Sequence, residues 1–288
     1  MNRISQQELL DAGVHFGHLK KKWNPKMLPY IFMERKGIHI IDLEKTADAL
    51  ETAGAAMKQM AKSGKKILFV ATKKQAKEIV AQCAQRVGMP YVTERWLGGM
   101  LTNFTTIRKS IKKMQSIEKM LADGTLENIT KKEKLMMSRD KQKMEKVLGG
   151  IANMNRTPSA IFLVDIGHEH IGLAEADRLN ITTFGMVDTN CDPNKVDYAI
   201  PSNDDATKSI TAITTYLMNC VLEGLEERKN ENVEDTEEVS NDEAAEVAAD
   251  TNDTDDKGRR RRVGGGNDRK PAGGSGRGGN NGGPRRPR

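Results

Sequence analysis

The chain is poor in cysteine, in aromatic residues and in long apolar runs, and each shortage excludes something. Its three cysteines, Cys83, Cys191 and Cys220, are odd in number and show no CxxC spacing. They read as reduced thiols in a cytoplasmic setting, not as a disulfide frame or a zinc ribbon. No apolar run exceeds about five residues, as in Ile67 to Ala71. A membrane span needs roughly 20, so no membrane partner is expected. The first eight residues, MNRISQQE, are too polar for a signal peptide, and the expectation is that nothing directs export. Aromatics are 4% of the 288 residues, and all twelve precede residue 223.

A net charge of +6 is a cancellation of blocks. Residues 1–222 carry +9, residues 223–256 carry −13, and residues 257–288 carry +10. A highly charged segment without aromatics buries too little apolar area to offset its ordering entropy. The expectation is therefore a disordered acidic linker over 226–256, then a disordered basic tail over 257–288. The tail contains Arg259 to Arg262, Gly264 to Gly266 and a final PRRPR. Arginine meets phosphates and stacks on bases, while glycine lets the chain follow them, so RNA contact is one reading and a solubilising tail the other.

The aromatic-bearing part alternates strand and helix. Ile67 to Ala71 and Ala160 to Val164 are short apolar runs of the kind buried on both faces of a parallel sheet. Helical spacing follows the first of them through Ala76, Ile79, Val80, Cys83 and Val87, with Gly88 as the stop, and Tyr91-Val92 starts another strand. A helix carrying Ile171, Ala174, Ala176 and Leu179, a strand over 181–187 and a helix starting near Asp204-Asp205 complete the pattern. These features predict an α/β class: a doubly wound, mostly parallel sheet flanked by helices, built from residues 1–104 and 149–225. Residues 105–148 hold no aromatics, 12 basic and 6 acidic residues, and apolar positions Ile107, Ile111, Met114, Ile117 and Leu121 at helical spacing. An Ala122-Asp123-Gly124 turn and a Thr130-x-x-Glu133 capping box separate this helix from a second, predicting a protruding helical hairpin with a coiled-coil-like seam.

Enzyme chemistry does not assemble. No G-x-G-x-x-G follows a strand, and Gln59 stands where a phosphate loop ending in Gly64-Lys65 needs glycine. His168 and His170, two apart, diverge by about 200° on a helix, whereas His15 and His18 share a face if helical. Asp188, Asp204 and Asp205 fall after strand ends, where hard oxygens either cap loops or hold magnesium. Cys191 has no base beside it. No cofactor and no metal are expected.

Basic clusters are more informative. Lys20, Lys21, Lys22 and Lys26 surround Trp23; Lys73 and Lys74 lie at a strand-to-helix turn; Arg95, Asn103, Arg108 and Lys109 bracket the start of the hairpin. Together they describe a surface for a phosphate backbone. The same segments resemble one family: Ala12 to His18, Trp23 to Met27, Gly37 to Leu43, Thr72 to Ala76, Arg95 to Gly99 with Leu101 to Phe104, Asp188 to Pro193, and Asn203 to Ala206. In that order, over about residues 1–225, they resemble the bacterial second protein of the small ribosomal subunit. Ser202 and Lys208 depart from the commoner residues of the family, and the tail lies beyond the resemblance.

The resemblance implies a parallel sheet with a projecting helical hairpin. It also implies a non-catalytic role in the cytoplasmic ribosome: binding small-subunit ribosomal RNA, contacting neighbouring proteins and helping to dock the large first protein of that subunit. The alternatives are an enzyme working at the strand ends and a free RNA chaperone driven by the Arg/Gly tail.

Overall fold

The computed structural model describes residues 4–123 and 130–250, without the side chains of residues 122 and 232–250. Gly124 of the expected turn and the basic tail from 257 lie outside the described residues. Contacts divide the chain into two units after Thr236, and the second contributes only the helical residues up to Asp250.

Residues 4–41, to which sequence periodicity assigns no element, form a small layer of their own. Helix α1 (Gln6–Asp11) starts on a capping box between Ser5 and Glu8. Strands β1 (Phe16–Leu19), β2 (Ile31–Arg35) and β3 (Ile38–Ile41) make an antiparallel sheet of order β1-β3-β2. The β2–β3 turn is Lys36-Gly37, both at positive φ (53° and 76°), as a two-residue hairpin loop demands. Helix α2 (Leu43–Lys62) follows, its first turn capped by the Asp42 carboxylate, which accepts from the Glu44 N–H.

The main sheet is built from β4 (Ile67–Val70), β5 (Tyr91–Val92), β6 (Ala160–Leu163), β7 (Thr182–Val187) and β8 (Tyr198–Pro201). All pairings are parallel and the order is β5-β4-β6-β7-β8. Helix α3 (Lys77–Val87) links β4 to β5 and ends, as its sequence requires, on Gly88 in the left-handed conformation. Helix α6 (His170–Arg178) links β6 to β7, and α7 (Thr207–Asp250) follows β8.

Successive strand residues point to opposite faces, and both faces are covered. On one, Phe69, Phe162 and Phe184 are fully buried against Leu50 and Met57 of α2, Val80 of α3, and Ile210, Ile213 and Leu217 of α7. On the other, Leu68, Val70, Ile161 and Leu163 join a second cluster with Trp96, Ile107, Ile151 and Leu173. This is the doubly wound α/β architecture expected. The antiparallel layer is the addition that the alternating pattern does not reveal.

Helices α4 (Phe104–Ala122) and α5 (Lys131–Leu148) occupy the region read as a hairpin and pack against each other. Ile107, Ile111, Met114 and Ile117 are buried along α4, and Lys141 of α5 pairs with Glu118 of α4 at 2.8 Å. The capping box forms as read: Thr130 accepts from the Glu133 N–H and the Glu133 carboxylate accepts from the Thr130 N–H.

Two details differ from expectation. In α6 the buried residues are Gly172, Leu173, Glu175 and Ala176, while Ile171 and Leu179 are 47% and 40% exposed. The helix is rotated so that Gly172 admits the Trp96 ring, which a Cβ there would meet at 3.3 Å, and so that Glu175 turns inward. Secondly, the boundary at residue 226 falls inside α7. Lys58 meets Glu223 at 3.3 Å and Glu227 at 2.6 Å, and Lys62 meets Glu231 at 2.5 Å, so side chains of α7 lie along α2 beyond that boundary.

Candidate nucleic-acid interface

Because the strands of the main sheet are parallel, their carboxyl ends converge on one edge. The order reverses between β4 and β6, and in open α/β sheets that switch point is where a ligand-binding crevice opens. Here an ion-pair network fills it. The Lys73 ammonium, after β4, lies 2.8 Å from Asp165 after β6, 2.9 Å from Asp204 and 2.8 Å from Asp205 after β8. Burial works against its charge, but bonds to the three carboxylates outweigh it and hold the ammonium above its ordinary range.

The carboxylates respond unequally. Burial also opposes ionisation of Asp165, yet Lys73 and the N–H groups of Gly167 and His168 keep its pKa low. Asp204 is fully buried and feels the charges of Asp165 and Asp188, so its pKa is pushed up to about 7. Its Oδ2 is buried with no hydrogen-bond partner. His18 brings Nδ1 to 2.8 Å from Asp188 and Nε2 to 3.5 Å from Asp205, and its pKa rises, chiefly through the Asp188 bond.

The expectation that His15 and His18 share a helical face fails, because His18 lies in β1 and His15 just before it. Burial lowers the His15 pKa instead. His18, Asp188 and Asp204 do bring one ligand atom each within 4.8 Å of one another, an N/O set that could hold a divalent cation. Asp204 and Asp205 do not cap α7. Asn203 instead closes the turn that leads into the helix, its Oδ1 accepting from the N–H groups of Asp205 and Ala206. The Cys191 thiol, buried close to these carboxylates, is pushed up to about 12, which removes it as a nucleophile.

Around this filled edge the sequence-derived basic residues sort into two groups. The first is fastened by Thr189, whose hydroxyl accepts from the His18 N–H at 2.8 Å and whose carbonyl accepts from the Asn24 N–H at 2.8 Å. Gly17 makes that seating possible, since a Cβ there would stand 2.6 Å from the Thr189 methyl. Lys20, Lys21 and Lys22 form a 3-10 turn beside it, and Trp23 tilts over His39 with ring centroids 5.2 Å apart. Lys20 pairs with Glu34 at 2.6 Å and Lys26 with Asp192 at 2.7 Å. Lys21, Lys22 and Lys74 are exposed and enter no ion pair among the described residues. Lys73, read in the sequence as a phosphate contact, directs its ammonium to three aspartates.

The second group surrounds the loop from Arg95 to Asn103. The Glu175 carboxylate lies beneath it, and five donors converge there: Trp96 Nε1 (3.1 Å) and the Gly99 N–H (2.7 Å) on Oε1, and the Leu101 N–H, the Thr102 N–H and the Thr102 hydroxyl (each 3.0 Å) on Oε2. Burial opposes the charge, but these bonds hold its pKa below the usual carboxylate range. Arg95, Asn103 and Lys109 are exposed. Arg108 is partly committed, since its guanidinium donates to the Asn155 carbonyl at 3.0 Å. Glu175 was missed in the sequence, although an acidic residue between Leu173 and Ala176, on a face that turns inward, was its available signal.

These features define a class: a doubly wound α/β protein whose switch-point crevice is closed by internal ion pairs and whose exposed cations lie outside it. Among the described residues no helix is long and apolar enough to cross a membrane. The family is shown by sequence comparison. Residues 9–224 match the profile of the family described as Ribosomal protein S2, and the chain belongs to that family. Relatives named small ribosomal subunit protein uS2 include one from Parabacteroides distasonis, 60% identical over 81% of this chain and 84% of its own length. Those from Porphyromonas gingivalis (62% identical; 80% and 82%) and Cytophaga hutchinsonii (56% identical; 86% and 97%) carry the same name.

Proposed function

We propose that this chain is a structural, non-catalytic constituent of the small ribosomal subunit in the cytoplasm. It binds ribosomal RNA, supports subunit assembly and translation, and helps dock the large first protein of the subunit. The observation that carries the RNA reading is the contrast between a strand edge neutralised from within and exposed cations that enter no ion pair among the described residues, Lys21, Lys22, Lys74 and Lys109. Cations left unpaired on a folded surface suit a polyanion and release its counterions on binding. Lys20, Trp23, Lys26, Arg95, Asn103 and Arg108 belong to the same surface, with Lys20, Lys26 and Arg108 trading internal partners for phosphates.

The protein-docking part of the reading draws on a different surface. The antiparallel layer leaves Phe16, Phe32 and Met33 exposed around a groove of about 440 Å³, apolar area that a phosphate backbone does not use. Deletion of residues 257–288 tests the whole assignment. A subunit protein held by its folded body still co-sediments with small subunits in sucrose gradients. A chaperone driven by its tail loses most of its RNA binding, and a truncated chain running free of subunits would sink the assignment.

A further inference from the structure

The position of Glu175 is hard to account for as stability alone. The residue is 8% exposed and lies on a helix whose other inward residues are small or apolar, and its carboxylate accepts from five donors on one loop. Three of those donors are the backbone N–H groups of Gly99, Leu101 and Thr102, a concave arrangement that needs an anion at its centre. Gly99 stands at φ 86°, a conformation glycine adopts without strain, which allows the loop to wrap the carboxylate. The last two donors belong to Thr102, and α4 begins at Phe104. The direction in which α4 leaves the sheet is thus set within two residues of the anchor. Along α4 the outer residues Lys109, Lys112 and Lys113 are exposed and enter no ion pair among the described residues.

We propose that Glu175 is the positioning residue of the RNA-facing loop: by gathering the Trp96 indole and the backbone of 99–102 it fixes the direction of α4, so that Lys109, Lys112 and Lys113 reach RNA together with Arg95 and Asn103. This rests on the RNA-binding reading above. Glu175 touches no RNA itself; it acts through the loop.

The test uses the full-length chain and a transcript of the small-subunit ribosomal RNA of the same organism, with affinity read by filter binding over a range of KCl concentrations. Glu175→Gln keeps the shape but turns an NH2 toward donors. Thr102→Val removes one donor and leaves no orphan, which covers the case in which the first variant folds poorly. Both are made in the native background and in a neutral-arm background, Lys109→Gln with Lys112→Gln and Lys113→Gln. A residue acting through the arm costs roughly tenfold in affinity in the native background and less than about twofold in the neutral one. Thr102→Val follows the same pattern at roughly twofold to threefold. Equal losses in both backgrounds would mean general destabilisation and overturn the proposal.

A measurement without RNA accompanies this. Spin labels at Gln142→Cys on α5 and Glu78→Cys on α3, in a Cys83→Ser background, are expected to show a broader distance distribution when Glu175→Gln is added. An unchanged distribution overturns the positioning role. If the native chain shows no salt-dependent affinity for the transcript, the RNA reading fails, and the distance measurement still decides on its own whether Glu175 sets the direction of α4.

Discussion

Replacing Lys73 by methionine keeps the stem and removes the charge from the centre of the filled strand edge. The side chain is 17% exposed, and its ammonium stands 2.8–2.9 Å from three carboxylates. Removing one partner of a buried ion pair costs about 3–5 kcal/mol, because the remaining charge is left without compensation. Two adjustments apply. Asp205 is half-exposed and screened, so its loss adds little. Asp204 already has a pKa of about 7 and takes up a proton readily, which relieves the site as the pH falls. The sign follows from linkage: a carboxylate whose folded pKa is above the unfolded value near 3.9 carries a folding penalty that is absent below the unfolded value and complete above the folded one. Without Lys73 the carboxyl of Asp204 moves further in that direction, and Asp165 loses the charge that keeps its pKa low. The deficit of Lys73→Met is therefore expected at about 3 kcal/mol at pH 8 and about 1–2 kcal/mol at pH 5.5. Urea unfolding followed by circular dichroism at the two pH values measures it. A deficit below about 1 kcal/mol at pH 8, or one that does not shrink toward pH 5.5, would refute the reasoning.

Other expectations follow from the same contacts. Lys21→Gln, Lys22→Gln and Lys74→Gln should each flatten the slope of log affinity for ribosomal RNA against log salt by roughly one unit per lost phosphate contact. Lys58→Gln and Lys62→Gln, whose ammonium groups pair with glutamates of α7, should leave that slope unchanged, and a change there would undo the division between committed and exposed cations. Gly17→Ala forces a Cβ to 2.6 Å from the Thr189 methyl and 2.8 Å from its hydroxyl, and overpacking of this kind costs about 1–3 kcal/mol in an unfolding titration. Thr130→Ala removes the capping box of α5 at a cost of about 1 kcal/mol, seen as faster hydrogen exchange in its first turn. Cys191, with its thiol pushed up to about 12, should resist alkylation at pH 8 until the chain is unfolded.

The fold was largely legible because its strongest signals are local. Ile67 to Val70 and Ala160 to Leu163 are apolar on every residue, as a strand covered on both faces requires. Gly88 and the Thr130–Glu133 pair mark helix ends by chemistry that acts within four residues. The small antiparallel sheet was not legible, since β2 is mostly exposed, β1 buries none of its residues fully, and neither shows a clean alternation of apolar and polar residues. The partners of Lys73 were not legible for a different reason: they lie far along the chain, Asp204 131 residues away, and become neighbours only when parallel strands align their ends. Glu175 reads as surface charge until the rotation of α6 is known, and that rotation depends on Gly172 meeting Trp96. Local chemistry is readable along the chain, whereas charge partnerships made by topology are not.

The closure of the switch-point crevice bears on how a polyanion meets this molecule. An open crevice offers helix N-termini and strand-end amides to one phosphate group, a single deep attachment that demands a matching shape. With Lys73 held among Asp165, Asp204 and Asp205, that attachment is already satisfied before any partner arrives. On the RNA-binding reading proposed above, an approaching backbone would meet a floor without spare positive charge, and attraction would pass to the exposed Lys21, Lys22 and Lys74. On that reading, such a surface would grip at several shallow points, each replaceable by its neighbours, and so select a broad run of correctly spaced phosphates over any one small anion. The buried lysine thereby turns a ligand pocket into a support.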